Sequence, residues 1–234
     1  MEAIAFNGKQ HEEVLKLSTL ERWRRGFKAL WVVAQDPNRT DKVLEAYEHM
    51  NAGGEGKRAR RFYADPKAGQ YRAEDRTIDS AHLDLAALEQ LPAGTFGNRY
   101  ASFMKKRHLT PELFKVEGPL TEVEYMVKRM RQTHDLWHVA TGYETDVIGE
   151  LELQAFTLAQ VGIPSALVVL MLGMVRWLLT GPELVFKITR AFFRGRSAKK
   201  MATYDWEAHW TAPLSEVRAE LLVSDGVPRA DSAK

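Results

Sequence analysis

The chain has 234 residues, 45% hydrophobic and 27% charged, which suits one large domain or two small ones with a sizeable core. Its 33 Lys and Arg against 31 Asp and Glu leave a formal charge of +2, so no global field gathers nucleic acid and any basic effect must be local. There is no cysteine, which excludes disulfides, thiolate nucleophiles and cysteine-ligated zinc, and leaves only nitrogen and oxygen ligands for a metal.

Met1 to Gln10 lacks a charged start followed by an apolar stretch, and Glu2 argues against an acid-poor transit peptide, so a mature, cytoplasmic chain is expected. From Leu20 the apolar residues Trp23, Phe27, Leu30, Trp31 and Ala34 follow the three-and-four spacing of a helix with one buried face, which stops at Asp36-Pro37. Thr40 is expected to cap a shorter helix carrying Val43, Leu44, Tyr47 and Met50. Gly53-Gly54-Glu55-Gly56 and the basic run from Lys57 to Arg61 read as a flexible connection, and the stretch to Arg76 is polar without a clear period. Residues 1–76 are therefore expected to be N-terminal helices and a polar linker in the same domain as a metal-binding helical core at 77–223, with 224–234 a flexible tail.

Asp79 to Leu91 and Thr95 to Lys106 read as helices, the second with Phe96, Tyr100, Phe103 and Met104 on one side. Thr121-Glu122-Val123-Glu124 has the spacing of a capping box, so a helix should start there, and nothing breaks it until Gly142. Thr145 or Asp146 can cap the next helix, which runs to about Val161 before Gly162-Ile163-Pro164 restarts the chain. Alternating strand patterns are nearly absent and no internal repeat is found. The expected fold is all-α, a multi-helix single domain with a metal site at the end of a helical hairpin.

His134 and His138 lie four apart, which on a helix puts both imidazoles on one face about 5.4 Å along the axis, close enough to share an ion. His138 stands four residues before Gly142 and Glu150 four after Asp146, so in antiparallel helices joined by a short turn the two should face each other at similar heights. Asp135 either completes the ligand set or accepts the free imidazole proton of a ligand and fixes its tautomer. Two imidazoles and one or two carboxylates suit zinc, and equally the facial arrangement of iron(II) that leaves positions open for oxygen.

The run Thr133-His134-Asp135-Leu136-Trp137-His138, then eleven residues, then Glu150, resembles the signature of the coenzyme Q biosynthesis protein 4 family. Three further stretches carry the resemblance: Leu91-Pro92-Ala93-Gly94-Thr95-Phe96-Gly97 with Tyr100 and Phe103; Gln154 to Pro164; and Trp206-Glu207 with Trp210, Pro213-Leu214 and Arg218-Ala219-Glu220-Leu221. They cover about residues 77 to 222. The resemblance implies a helical protein, peripheral on the inner membrane, that acts on a prenylated benzoate on the way to ubiquinone. It implies zinc as the metal, with His134, Asp135, His138 and Glu150 as catalytic and metal residues. The implied reaction is metal-dependent decarboxylation of the ring, oxidative in that a hydroxyl takes the carboxylate's place. A non-catalytic organiser of the biosynthetic complex is a second implied role, with other ubiquinone biosynthesis proteins as partners, and a homo-oligomer is expected.

Leu153 to Val175 contains no charge, but Gly162 and Pro164 interrupt it, so a buried or interfacial helix is expected in place of a membrane span. Leu167, Leu170, Met171, Met174 and Leu178 could line a site for a prenyl tail, or simply pack in the core. The following stretch places Lys187, Arg190, Arg194, Arg196, Lys199 and Lys200 around Phe186, Phe192 and Phe193, a composition that favours an anionic membrane surface and equally describes a solvated helix face. Nucleic acid is not an expected partner. A His-Asp pair also marks helical metal phosphohydrolases, which would need a further upstream His and downstream Asp such as His82, His108 and Asp205, although the eleven-residue spacing to Glu150 speaks against that class.

Overall fold

The structure is a computed structural model that describes residues 13–36, 39–111, 120–170 and 183–223. Among the described residues it is all-α, and its one strand-like feature is an isolated bridge between Thr95 and Pro213. The N-terminal ten residues, Met171, Met174 and Leu178 of the prenyl-lining expectation, and the tail at 224–234 lie outside the described residues.

After helical residues 13–16, α1 (Thr19–Gln35), capped by the Ser18 hydroxyl, packs on α2 (Thr40–Asn51). Thr40 is the first helical residue and not the cap, a position that Arg39 fills without a side-chain bond. The expected loop from Gly53 to Arg76 is instead helical, as a 3-10 turn at Ala52–Gly54, α3 (Glu55–Tyr63) and α4 (Pro66–Ala73). Asp65 caps α4 just before Pro66, whose fixed φ suits the first helical position. Sparse apolar residues between basic ones conceal the period, yet Ala59, Phe62, Ala68 and Tyr71 bury one face against Tyr125, Met126 and Val127.

The expected helix from Asp79 to Leu91 shrinks to α5 (Leu85–Glu89). Asp79 Oδ1 accepts from the N–H groups of Ala81 and His82, and Asp84 caps α5, so both carboxylates draw backbone donors away from a continuous helix. Thr95 caps α6 (Phe96–Lys106), whose first N–H groups donate to the carbonyls of Ala212 and Trp210 at 2.8 Å. The capping box forms at Thr121 and Glu124 and starts α7 (Glu122–Gln132). That helix does not continue to Gly142: Thr133 interrupts it, its hydroxyl bonding the Arg129 carbonyl at 2.9 Å, and α8 (His134–Thr141) follows. A threonine that bonds back to the carbonyl four residues earlier competes with the helical ladder.

α9 (Val147–Val161) and α11 (Glu183–Ser197) pack along each other through Leu151, Ala155, Leu184, Ile188 and Ala191. Between them α10 restarts at Pro164 and is described to residue 170. The main core joins α6, α8, α9 and the C-terminal segment that ends in α12 (Leu214–Glu220), with Phe96 stacked between Trp206 and Trp210 at 5.4 and 5.5 Å. No helix among the described residues is long and apolar enough to cross a membrane.

Candidate metal centre

The centre forms where α8 turns into α9. Gly142 ends α8 with a φ of 78°, a left-handed conformation in which a side chain is strained, and its N–H donates to the His138 carbonyl at 2.8 Å. Asp146, not Thr145, caps α9 by accepting from the Gly149 N–H at 2.7 Å. At Gly149 the helix passes against its own turn so closely that a Cβ would lie 2.1 Å from the Glu144 carbonyl oxygen, so only glycine fits. This close approach sets Glu150 across from the histidines.

The imidazoles of His134 and His138 meet edge to face, centroids 4.8 Å apart. Ligand atoms of His134, His138 and Glu150 all lie within 4.8 Å of one another. Glu150 Oε1 is 3.2 Å from His138 Nε2, and Oε2 is 4.0 Å from His134 Nε2. The other ring nitrogens are engaged: His138 Nδ1–H donates to the Tyr143 carbonyl at 3.0 Å, and His134 Nδ1–H to Asp135 Oδ1 at 3.4 Å. Both rings therefore take the tautomer that leaves Nε2 with a lone pair toward Glu150. Asp135 sits on the Nδ1 side of His134, outside the three clustered ligand atoms.

His138 is 1% exposed, and its Nε2 makes no hydrogen bond, because Glu150 is near but out of line. An unsatisfied buried nitrogen costs about 1–3 kcal/mol, which a cation bound there would offset. Two Nε2 atoms and a carboxylate also match the donors that divalent zinc and iron prefer, so the residues fit a metal. Burial opposes charge on Glu150, but when the rings carry an Nε2 proton, its donation from His138 and the charge of both imidazoles outweigh burial and hold the carboxyl below its ordinary value. Burial likewise opposes a charged His134, yet Asp135 and Glu150 prevail and raise its pKa. The side chains of His134 and Glu150 remain 39% and 40% exposed, so the centre is walled on one side and open to solvent on the other. Phe103 stacks on His138, and Leu136 and Trp137 of the same helix are buried in the main core.

Gly149 and Tyr143 escaped the sequence reading, and Phe103 was read there as one apolar side of a helix and as part of the family resemblance, without a place at the centre. Gly149 left a signal, a glycine inside an otherwise apolar helix and next to a candidate ligand. Of the residues expected to line a prenyl site, Leu170 is buried between α9 and α11 whereas Leu167 is half exposed. Phe186 and Phe193 are exposed on α11 beside Lys187 and Arg190, with Arg196, Lys199 and Lys200 exposed farther on. Arg194 instead turns inward, where it bonds the carbonyls of Thr141 and Val223 and covers the Tyr143 ring. His82 pairs with Asp79, Asp205 pairs with Arg76, and His108 is exposed; none joins the triad.

Comparison with known proteins places the geometry in a lineage. The model of the family described as "Coenzyme Q (ubiquinone) biosynthesis protein Coq4" matches residues 11–226. A relative named ubiquinone biosynthesis protein coq-4, mitochondrial, from Caenorhabditis elegans is 28% identical over 221 residues, covering 92% of this chain and 96% of that one. The ubiquinone biosynthesis protein COQ4 homolog, mitochondrial, of Rattus norvegicus is 29% identical over 167 residues, and the match spans 68% of this chain and 62% of the rat protein. A crystal structure of a candidate ubiquinone biosynthesis protein from Nostoc punctiforme superposes with a TM-score of 0.71 at 29% identity, covering 86% of this chain and 97% of that one. With nearly its whole length matched by one family model, the chain belongs to the Coenzyme Q (ubiquinone) biosynthesis protein Coq4 family.

Proposed function

We propose that this protein carries out a step of ubiquinone biosynthesis, the metal-dependent, oxidative removal of the ring carboxylate from a prenylated hydroxybenzoate at a membrane surface. The observation that carries the reading is the triad itself: a buried, unbonded His138 Nε2 facing Glu150 and His134 at a solvent-accessible rim. His134, His138 and Glu150 would hold the ion, zinc by the family resemblance or iron(II) by the donor set. When bound, such a metal would supply a Lewis acid that stabilises negative charge on a carboxylate while its carbon bond breaks, an effect worth several kcal/mol, and oxygen chemistry would come from a redox-active metal such as iron or from an organic radical route on the ring.

The chain's own residues do the rest. Asp135 and the Tyr143 carbonyl hold the two imidazoles by their Nδ1–H groups and so aim Nε2 of each at one point. Phe103, stacked on the buried His138 ring, gives the inner side an apolar wall that excludes water and strengthens electrostatic interactions there. The exposed Phe186 and Phe193 beside Lys187 and Arg190 supply a face suited to an anionic lipid surface, from which a long-tailed substrate would be drawn. A self-associated form working beside other ubiquinone biosynthesis proteins belongs to the same reading.

A second reading has its own observation in favour: the triad bridges α8 and α9 at their turn, so a metal there could pin the hairpin of a non-catalytic scaffold. One experiment separates the two. Metal-loaded protein is incubated with prenylated hydroxybenzoate labelled at the carboxylate, in air and without it, while label release and product mass are followed. Catalysis requires release that falls at least 100-fold in Glu150→Ala. No release by any metal form would leave the scaffold.

A further inference from the structure

His138 also walls a cleft of about 230 Å³. Four cations line it, Arg99, Lys106, Arg107 and Arg218, against the single carboxylate of Glu144, with Phe103 and Val139 as apolar surface. Whole small-molecule sites enclose about 300–1,000 Å³, so this one suits the head of a ligand and not a complete lipid.

Two of the cations are held in place. Arg107 donates from Nε to Thr145 Oγ1 at 2.9 Å, pairs through Nη2 with Glu144 and lies 4.0 Å over the Phe103 ring. Arg218 donates from Nε to the Ala140 carbonyl at 2.9 Å and from Nη2 to that of Val139 at 3.1 Å. A guanidinium carries five N–H donors, and Nη1 of each arginine makes no bond among the described residues. Arg218 is half-buried and has no carboxylate partner among them; burial, with the like charges of Arg194 and Arg99, lowers its pKa. Buried charges are ordinarily paired. The negative end of α8 accounts for the inner half of the Arg218 guanidinium, and Arg99 and Lys106 add two further positive charges at the exposed edge of the same cleft.

We propose that this cleft is an oxyanion subsite, in which Arg107 and Arg218 clamp a carboxylate or phosphate head group and Arg99 and Lys106 draw it in. His138 is a shared wall, so the bound head abuts the metal centre. The subsite rests on the proposed reaction only for the identity of its natural ligand; the binding of an oxyanion follows from the cations alone. Arginine is suited to such a head because its planar fork engages two oxygens at once.

The full chain, both as purified and after chelation, is titrated calorimetrically with inorganic phosphate and with benzoate at low salt, and metal content is measured on the same samples. The expected result is saturable 1:1 binding of at least one anion in the millimolar range or tighter, persisting after chelation. Phosphate alone identifies a phosphorylated head, and benzoate alone a ring carboxylate. Arg99→Glu/Lys106→Glu, which leaves two cations against three carboxylates and changes only exposed side chains, should weaken binding at least 10-fold with melting and metal content unchanged. If neither anion binds, or if the double variant binds as the parent does, there is no such subsite. Anion binding that persists in protein unable to retain any metal would sustain the subsite while removing the proposed reaction.

Discussion

Asp135 shows how one side chain tunes the centre without joining it. Its carboxylate accepts the Nδ1 proton of His134 and, with Glu150, raises the pKa of that imidazole despite the opposing effect of burial. A metal needs the neutral ring, so protons compete with it at pH values below that raised pKa, and metal affinity should fall as pH drops into the range above an ordinary histidine's 6.5. Asp135→Asn should lower affinity about 10–100-fold at high pH, because the orienting charge is lost. The same change should move the acid limb to lower pH, because His134 becomes less basic. Metal affinity measured against pH with a competing chelator checks both, and an unmoved acid limb would detach Asp135 from His134. The three candidate ligands were legible because imidazoles four apart share a helix face and Glu150 mirrors His138 about the turn. Tyr143 was not, since it contributes a backbone carbonyl that no residue pattern announces.

At the scale of elements, the turn between α8 and α9 fixes the geometry through two glycines of different kinds. Gly142 is needed for its backbone conformation, Gly149 for the space it leaves beside Glu144. Gly149→Ala should force the turn away from α9 and displace Glu150, costing about 1–3 kcal/mol by overpacking and weakening metal binding at the same time. Denaturant unfolding of the metal-free protein and metal titration read the two effects separately; an alanine variant equal to the parent in both would contradict the close approach. Several helix starts could be read from the chain because caps are local chemistry, as Thr95, Thr121 with Glu124, and Asp146 show. α3 and α4 were missed because each is short and buries few apolar residues among basic and polar ones, and the break at Thr133 because a hydroxyl's choice between water and a carbonyl is decided by burial.

Across the whole molecule, the N-terminal helices are tied to the C-terminal segment by polar contacts far apart in sequence. Arg129, fully buried, donates to Glu207 through both terminal nitrogens and lies 5.3 Å over the Tyr71 ring, while Arg76 pairs with Asp205 and the Thr203 hydroxyl with Asp65. Removing one partner strands a buried charge, so Glu207→Ala should destabilise the fold by about 3 kcal/mol, the lower end of such losses because Glu207 itself is partly exposed. Arg129→Met/Glu207→Met should recover most of that in urea unfolding, and a double variant no better than the single would show that the pair is not the cause. Such long-range pairings depend on the assembled fold, which is why several helices and the one hairpin about Gly142 could be read from the sequence while the packing of the other helices could not. The proposed function requires that His134, His138 and Glu150 together hold a divalent ion. Elemental analysis of the purified full chain, reloaded after chelation, tests it most directly. About one ion per chain is expected in the parent and less than a tenth of that in His138→Ala and Glu150→Ala with the helical circular dichroism preserved, whereas full occupancy in either variant would contradict the site.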